Sequence, residues 1–370
     1  MLAPFMETRL AALRTQLRAQ ELDGLLVGGQ ENRRYLSGFT ARDEFPESAG
    51  MLLITPAAAW LLTDFRYQEW ARQEAPDFAV IVYQSSLGAA LAELLKDLEG
   101  RRLGFEAAYL SYRQFQRLAQ EVAEAGLQVD WEPTEGLVEG LRETKTPEEI
   151  ASIRRALALS EAVLEAAAGW LAPGLTEREV AWELERRLRE GGAEGLAFPP
   201  IVAAGPHSAR PHHQPGDYPL KAGEPIIIDL GARVEGYCAD ITRTFILGPP
   251  DPQFQKIYRL VRQAQQRALQ DLKAGLDSLA ADALAREVIA AAGYGEAFGH
   301  SLGHGVGLAV HEAPSLSPYK DRATLLKAGS VVTVEPGIYL SGWGGVRLEN
   351  MALLHPTHAE ILNRLGYYEW

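Results

Sequence analysis

Apolar side chains recur at helical spacing from Phe5 to about Gln20, where Met6, Leu10, Leu13 and Leu17 share one face, and Leu22 to Val27 follows as a short apolar run. That switch of period predicts a helix and then a strand. Short apolar runs at Met51 to Ile54, Trp60 to Leu62, Phe78 to Tyr83 and Leu103 to Phe105 predict further strands, with helices at Leu87 to Leu98 and Tyr112 to Ala125. Residues 1–133 are expected to form a small mixed α/β domain, and the polar stretch 134–146 a linker. A second domain is expected over 147–370. It opens on Thr146-Pro147-Glu148-Glu149, which offers a cap, a proline at the first helical position and a carboxylate three residues after the cap. Ile150, Ile153, Leu157 and Leu164 line one face of that helix, and Thr176-Glu177-Arg178-Glu179 caps another that bears Val180, Leu184 and Leu188.

The second domain repeats itself. The segment from Lys221-Ala222-Gly223 through Ile226-Ile227-Ile228-Asp229-Leu230-Gly231 returns 106 residues later, from Lys327-Ala328-Gly329 through Val332-Thr333-Val334-Glu335-Pro336-Gly337. Gly174-Leu175-Thr176 is echoed by Gly275-Leu276-Asp277 at an offset of 101. Each half reads as two helices followed by strands, so the halves are expected to pack as a pseudo-twofold sheet with helices on its outer face, an α+β arrangement. In both copies an apolar strand ends on a carboxylate with glycine close behind, which places the two acids near the axis between the halves.

Asp229 and Asp240 are separated by a predicted turn at Gly231 to Gly236 and are expected to face each other across antiparallel strands, and Glu335 and Glu349 repeat the pattern. Facing carboxylates repel unless a proton or a cation intervenes. Four acids call for about four positive charges, which two divalent ions supply. His304, within Gly299-His300-Ser301-Leu302-Gly303-His304-Gly305-Val306-Gly307, is the fifth candidate ligand. One imidazole with four carboxylates is a hard, oxygen-rich set that favours manganese and admits cobalt, zinc or iron. A metal pair can activate water for attack on a carbonyl, so hydrolysis is the expected reaction. His311-Glu312 lacks the second histidine of a metalloprotease helix, and the glycine-rich run lacks the Lys-Ser/Thr ending of a phosphate loop.

Composition narrows the classes further. An apolar share of 47% with 23% charged residues is that of a globular protein, and a net charge of −13 argues against nucleic acid or anionic lipid as partner. Cys238 is the single cysteine, so no internal disulfide is possible. The charge-free stretch from Ser48 to Thr63 is too short to span a bilayer, and no apolar signal core accompanies Glu7 and Arg9, so a cytoplasmic location is expected.

Asp229, Asp240, His304, Glu335 and Glu349, in this order and spacing, resemble the ligand set of the pita-bread metallopeptidases. The surrounding segments Tyr237-Cys238-Ala239-Asp240-Ile241-Thr242-Arg243-Thr244, Val334-Glu335-Pro336-Gly337-Ile338-Tyr339 and Val346-Arg347-Leu348-Glu349 agree, and the resemblance covers the chain from about 147 onward. Leu22 to Val27 with Glu31 to Phe39 is similar to the extra domain of the proline-peptidase and creatinase branch. The resemblance implies that Asp229 and Asp240 hold one metal, that Asp240, His304, Glu335 and Glu349 hold the other, and that Asp240 and Glu349 bridge. It also implies that Glu335 acts as general base, that His212 and His311 bind and stabilise the substrate, and that His300, Arg347 and Tyr339 support it, with Arg347 steadying the Glu349 network. His213 reads as an ordinary, partly exposed histidine. The implied substrates are small peptides with proline second. Leu62-Thr63-Asp64-Phe65-Arg66-Tyr67 is similar to a segment of bacterial aminopeptidase P relatives, so Xaa-Pro aminopeptidase is the first expectation and Xaa-Pro dipeptidase the alternative. Creatine hydrolysis on this fold does without the metal ligands, and peptide-binding relatives typically lose some, whereas all five, four acids and one imidazole, are present here. The resemblance further implies a homodimer.

Overall fold

A computed structural model describes residues 4–41, 49–98 and 102–368, without the side chains of residues 4, 5 and 322; Ser48, at the start of the charge-free stretch, lies outside them. The chain divides into two units, Met1–Arg142 and Glu143–Trp370. In the first, the run after Leu22 forms the strand Gly24–Val27, buried along its whole length. It pairs antiparallel with Met51–Ile54 on one side and parallel with Arg102–Glu106 on the other, within a six-stranded mixed sheet. Unbroken apolar runs suit such central strands, because both faces are covered. Leu26, Leu53, Leu62 and Leu103 pack there with Leu91, Leu95 and Leu118 of the helices Leu87–Lys96 and Tyr112–Glu124. The edge strand Asp130–Thr134 has no apolar run to announce it and carries Pro133, which an edge tolerates. The stretch read as a linker holds the one-turn helix Glu139–Arg142 before the next helix begins at Pro147.

The internal repeat is visible as repeated hydrogen bonding in the second unit. Gly174 N–H donates to the Leu220 carbonyl at 2.9 Å and Gly275 N–H to that of Leu326 at 2.8 Å. Bridges join Thr176 with Pro219 and Asp277 with Leu325, the same offsets apart as the sequence copies. Gly223 and Gly329, which open the two strands that end on acids, both take left-handed backbone, φ 81° and 88°, where a side chain is disfavoured. The first half presents strands Ile201–Ala204, Pro225–Leu230 and Ile241–Ile246, and the second presents Glu312–Leu316, Gly303–Gly305, Val331–Val334, Asn350–Leu354 and Ala359–Ile361. This is the pseudo-twofold arrangement expected from the repeat, and the pita-bread fold that the family resemblance implies.

Helices cover each half sheet on its apolar side. Ile153, Leu157, Val180 and Leu184, from Pro147–Ala167 and Glu177–Glu190, pack on Ile226 and Ile228, while Phe254, Val261, Ala285 and Ile289, from Pro252–Asp271 and Ser278–Ala291, pack on Val332 and Val334. Each of these side chains larger than alanine contributes about 1.5–3 kcal/mol by leaving water. Thr146 and Thr176 form the full capping boxes anticipated with Glu149 and Glu179. The halves meet where Glu349 N–H donates to the Thr242 carbonyl at 3.2 Å and Thr244 Oγ1 donates to the Arg347 carbonyl at 2.8 Å. Arg243 is buried at this seam. Its guanidinium donates to the Thr242, Glu349, Leu365 and Gly366 carbonyls and to Asn350 Oδ1, which compensates the charge for its lost hydration. Among the described residues no helix is long and apolar enough to cross a membrane.

Candidate active site

Asp229 lies on Pro225–Leu230, Asp240 immediately precedes Ile241–Ile246, and Glu335 and Glu349 lie at the ends of Val331–Val334 and Asn350–Leu354, so strands from both halves deliver the acids to the seam. The expected face-to-face pairing of Asp229 with Asp240 is not what forms. The ladder sets Asp229 opposite Thr242, and in the same register Asp240 falls opposite Gly231. The acids are therefore diagonal neighbours, an arrangement that avoids a directly repelling pair. The predicted turn at Gly231 to Gly236 is itself a small hairpin that reverses at Glu235-Gly236, both with positive φ. One carboxylate oxygen each from Asp229, Asp240 and Glu349 lie within 4.8 Å of one another.

The cluster carries more negative charge than the protein alone satisfies. Asp229 Oδ1 and Glu349 Oε1 are buried without a hydrogen-bond partner. Burial, followed by the charges of Glu349, Asp229 and Glu335, raises the Asp240 carboxyl well above the usual carboxylate range. Burial raises Glu335 to about 8 against the opposing pull of Arg347, and burial with the charges of Glu335 and Asp229 raises Glu349. A buried oxygen left without a donor costs about 1–3 kcal/mol, more when charged, unless something cationic reaches it. Orphaned oxygens converging on one point are what a metal pair requires, so these residues fit the two divalent ions that the sequence suggests.

His304 completes the set. Gly303 and Gly305 flank it because a Cβ at either position would overlap a backbone carbonyl, that of Thr333 or of Ala313. His304 Nδ1 lies 3.1 Å from the Gly305 carbonyl, which fixes the proton there and leaves Nε2 as a lone pair facing Glu335 at 3.4 Å and Asp240 at 3.6 Å. Burial, then the neighbouring His311, lowers His304 to about 3, so the imidazole is neutral and these approaches are not ion pairs.

A second layer of side chains orients the acids. Thr242 Oγ1 donates to Glu349 Oε2 at 2.8 Å and Thr333 Oγ1 to Glu335 Oε1 at 3.1 Å. Arg347, expected to steady Glu349, instead pairs directly with Asp229, Nη2 to Oδ2 at 2.7 Å, and reaches Glu349 only through Thr242, whose hydroxyl accepts from Arg347 Nε at 3.1 Å. Arg347 Nη1 also donates to the Tyr339 hydroxyl at 3.0 Å. That hydroxyl donates to His300 Nε2 at 2.9 Å, since His300 Nδ1 is engaged with the Ser301 carbonyl at 2.8 Å. Burial, then Arg347, lowers His300 to about 4, so it accepts as a neutral ring. Gln265 donates to the Val334 and Leu348 carbonyls and so ties the strand before Glu335 to the residue before Glu349.

A cavity of about 470 Å³ opens onto the cluster, and Asp229, Asp240, His304, Glu335, His300 and Arg347 line it. His212 and His311 reach its walls from exposed positions, with the His311 ring 4.1 Å from that of His304. Burial, then His212, lowers the pKa of His311. Glu349 and Tyr339 are not among the residues that line the cavity. Phe198, Pro199, Pro200 and Pro215 supply an apolar side. Sequence reasoning missed Thr242, Thr333 and Gln265. The period-two alternation of strands could have found the first two, which lie two residues from Asp240 and Glu335 and so share a face with them. It also misread His213, whose ring is mostly buried and bonded to Glu177.

The model of metallopeptidase family M24 matches residues 151–356, and that of the creatinase/prolidase N-terminal domain matches residues 9–144. A Xaa-Pro dipeptidase of Pyrococcus horikoshii is 36% identical over 93% of this chain and 93% of its own length. Among solved structures, a Xaa-Pro dipeptidase from Bacillus anthracis superposes with a TM-score of 0.91 at 37% identity, over 98% of this chain and 99% of that one. An X-Pro aminopeptidase from Thermotoga maritima superposes with a TM-score of 0.85 at 36% identity, over 96% of this chain and 99% of that one. With acids from two related half sheets meeting at one cavity and both domain models matched, the chain belongs to metallopeptidase family M24, with a creatinase/prolidase N-terminal domain ahead of its pita-bread unit.

Proposed function

We propose that this protein hydrolyses the bond between a first residue and proline in small peptides, with Asp229, Asp240, His304, Glu335 and Glu349 holding two divalent ions. The observation that carries this reading is the pair of orphaned buried oxygens, Asp229 Oδ1 and Glu349 Oε1, in an acid cluster beside a proline-lined and histidine-lined cavity. When bound, the metal pair supplies Lewis acidity and lowers the pKa of water. The carboxylate-dominated set, with a single imidazole and no sulfur, favours manganese, with cobalt, zinc or iron as alternatives.

The protein's own groups do the rest. An Xaa-Pro bond is a tertiary amide without N–H, so recognition rests on ring shape and the leaving nitrogen must gain a proton. Glu335, hydrogen-bonded by Thr333 and lining the cavity, would take a proton from the attacking water and pass it to the proline nitrogen. His212 and His311 face the space where the scissile carbonyl would lie and would donate to the charge that develops there. The Arg347, Tyr339 and His300 chain holds Asp229 and the cavity wall in register.

We read the preferred substrate as a peptide that continues beyond proline, on the strength of the Thr63-Asp64-Phe65-Arg66-Tyr67 segment. The names of the Pyrococcus and Bacillus relatives support the second reading, a dipeptidase, and that of the Thermotoga relative supports the first. A homodimer in the cytoplasm completes the proposal. The test is to chelate the protein, replenish it with manganese and compare turnover of Xaa-Pro with Xaa-Pro-Xaa. Cleavage of the tripeptide supports the first reading, cleavage of the dipeptide alone reverses the order, and full activity after metal removal defeats the mechanism.

A further inference from the structure

Outside the acid cluster, a second group of ligating side chains stands together: Glu177, His207 and His213, with one ligating atom from each lying within 4.8 Å of the others. Glu177 is the first residue of the helix Glu177–Glu190, where an acid ordinarily sits in water against the helix dipole. Here its side chain is 0% exposed. Oε1 accepts from Ala204 N–H at 2.9 Å and faces His207 Nδ1 at 3.0 Å, while Oε2 accepts from Gly216 N–H at 3.1 Å and faces His213 Nε2 at 2.8 Å. The two rings are 4.5 Å apart between centroids. Both histidines belong to the segment that also carries His212, and His213 itself touches the substrate cavity.

We infer that Glu177, His207 and His213 form a separate binding site for a zinc ion. Two imidazoles with one carboxylate is a three-ligand set that zinc takes in tetrahedral geometry with the fourth position left to water, at about 2.0–2.2 Å from each ligand. The set is richer in nitrogen than the acid cluster, so it favours zinc where the cluster favours a harder ion. The backbone N–H groups of Ala204 and Gly216 already orient the carboxylate, as outer partners orient ligands in metal sites. The His207 side chain is 27% exposed and provides the way in. On binding, the two imidazole-to-carboxylate hydrogen bonds give way to coordinate bonds, and each imidazole proton moves to the ring nitrogen that faces away. Zinc held here would fasten the helix start to the loop that bears His212.

The test is anomalous diffraction at the zinc edge from crystals of the full chain grown with zinc chloride, with metal counted in parallel by equilibrium dialysis of the same chain and of the double variant His207→Asn with His213→Ala. A peak between the three side chains, and about one zinc fewer per chain in the double variant, is the expected result. Zinc confined to the acid cluster, with no density at Glu177, overturns the inference. The position of the peak separates this outcome from any failure of the two-metal reading, because the acid cluster is scored on its own. Should the double variant fail to fold, the diffraction result on the unaltered chain decides alone.

Discussion

Loading the acid cluster with metal should expel protons, and the number follows from the site. Burial holds Glu335 at about 8, so at pH 7 the metal-free site carries roughly 0.9 proton on that carboxyl alone. Asp240 and Glu349 are also raised, and each adds up to one more. His304, lowered to about 3, is already neutral and contributes none. Between about one and three protons should therefore leave at pH 7, and Glu335's share should shrink to roughly 0.1 by pH 9. The energetic counterpart is that ionising Glu335 without a cation costs on the order of 5 kcal/mol more than ionising a glutamate in water, a difference that metal binding must offset. Isothermal titration of the metal-free protein with manganese in buffers of differing ionisation enthalpy gives the proton count directly. Glu335→Gln should lower it by about one at pH 7. Release of less than about 0.3 proton, or a count unaffected by Glu335→Gln, would refute the electrostatic account of the cluster.

Three further outcomes can be checked. The metal-free protein should lose thermal stability as pH rises from about 5 through 8, because carboxyls whose folded-state pKa is raised stabilise only while protonated; a melting temperature that rises over this range contradicts the sign. Thr242→Val should weaken metal affinity roughly 10–100-fold by removing the donor to Glu349, with near-normal affinity arguing that this hydroxyl is idle. Gly231→Ala places a Cβ on the Ala239 carbonyl and should displace Asp240, with loss of metal binding and a destabilisation of about 1–3 kcal/mol in denaturant unfolding. An unchanged variant would show that the close approach at Gly231 is not needed.

The repeat was the most legible feature of the chain, because each copy carries its acid at the same place on an apolar strand and duplication forces both toward one axis. That reasoning located Asp229 and Glu335 together at the seam without any coordinates. Register was beyond it. Whether Asp240 faces Asp229 or Gly231 depends on a hairpin whose reversal at Glu235-Gly236 shifts the pairing by two residues, and composition is silent on that choice. The partner of Arg347 was likewise hidden, since Asp229 and Glu349 come from different half sheets and only the folded seam sets the guanidinium directly on Asp229 and, through Thr242, on Glu349. Glu177 was the least legible residue. At the first position of a helix an acid is ordinary, and only its complete burial between two histidines makes it informative.

The seam has a dynamic consequence. Glu349 is hydrogen-bonded through its own backbone to Thr242, and its carboxylate to the hydroxyl of the same residue, so the two half sheets cannot swing apart without dismantling the acid cluster. An enzyme built this way has no freedom to gape around its substrate as hinged proteins do. The exposed His212 and His311 stand at the cavity wall outside this bonded seam, so an adjustment around substrate at those two positions would leave the acids' own bonds intact.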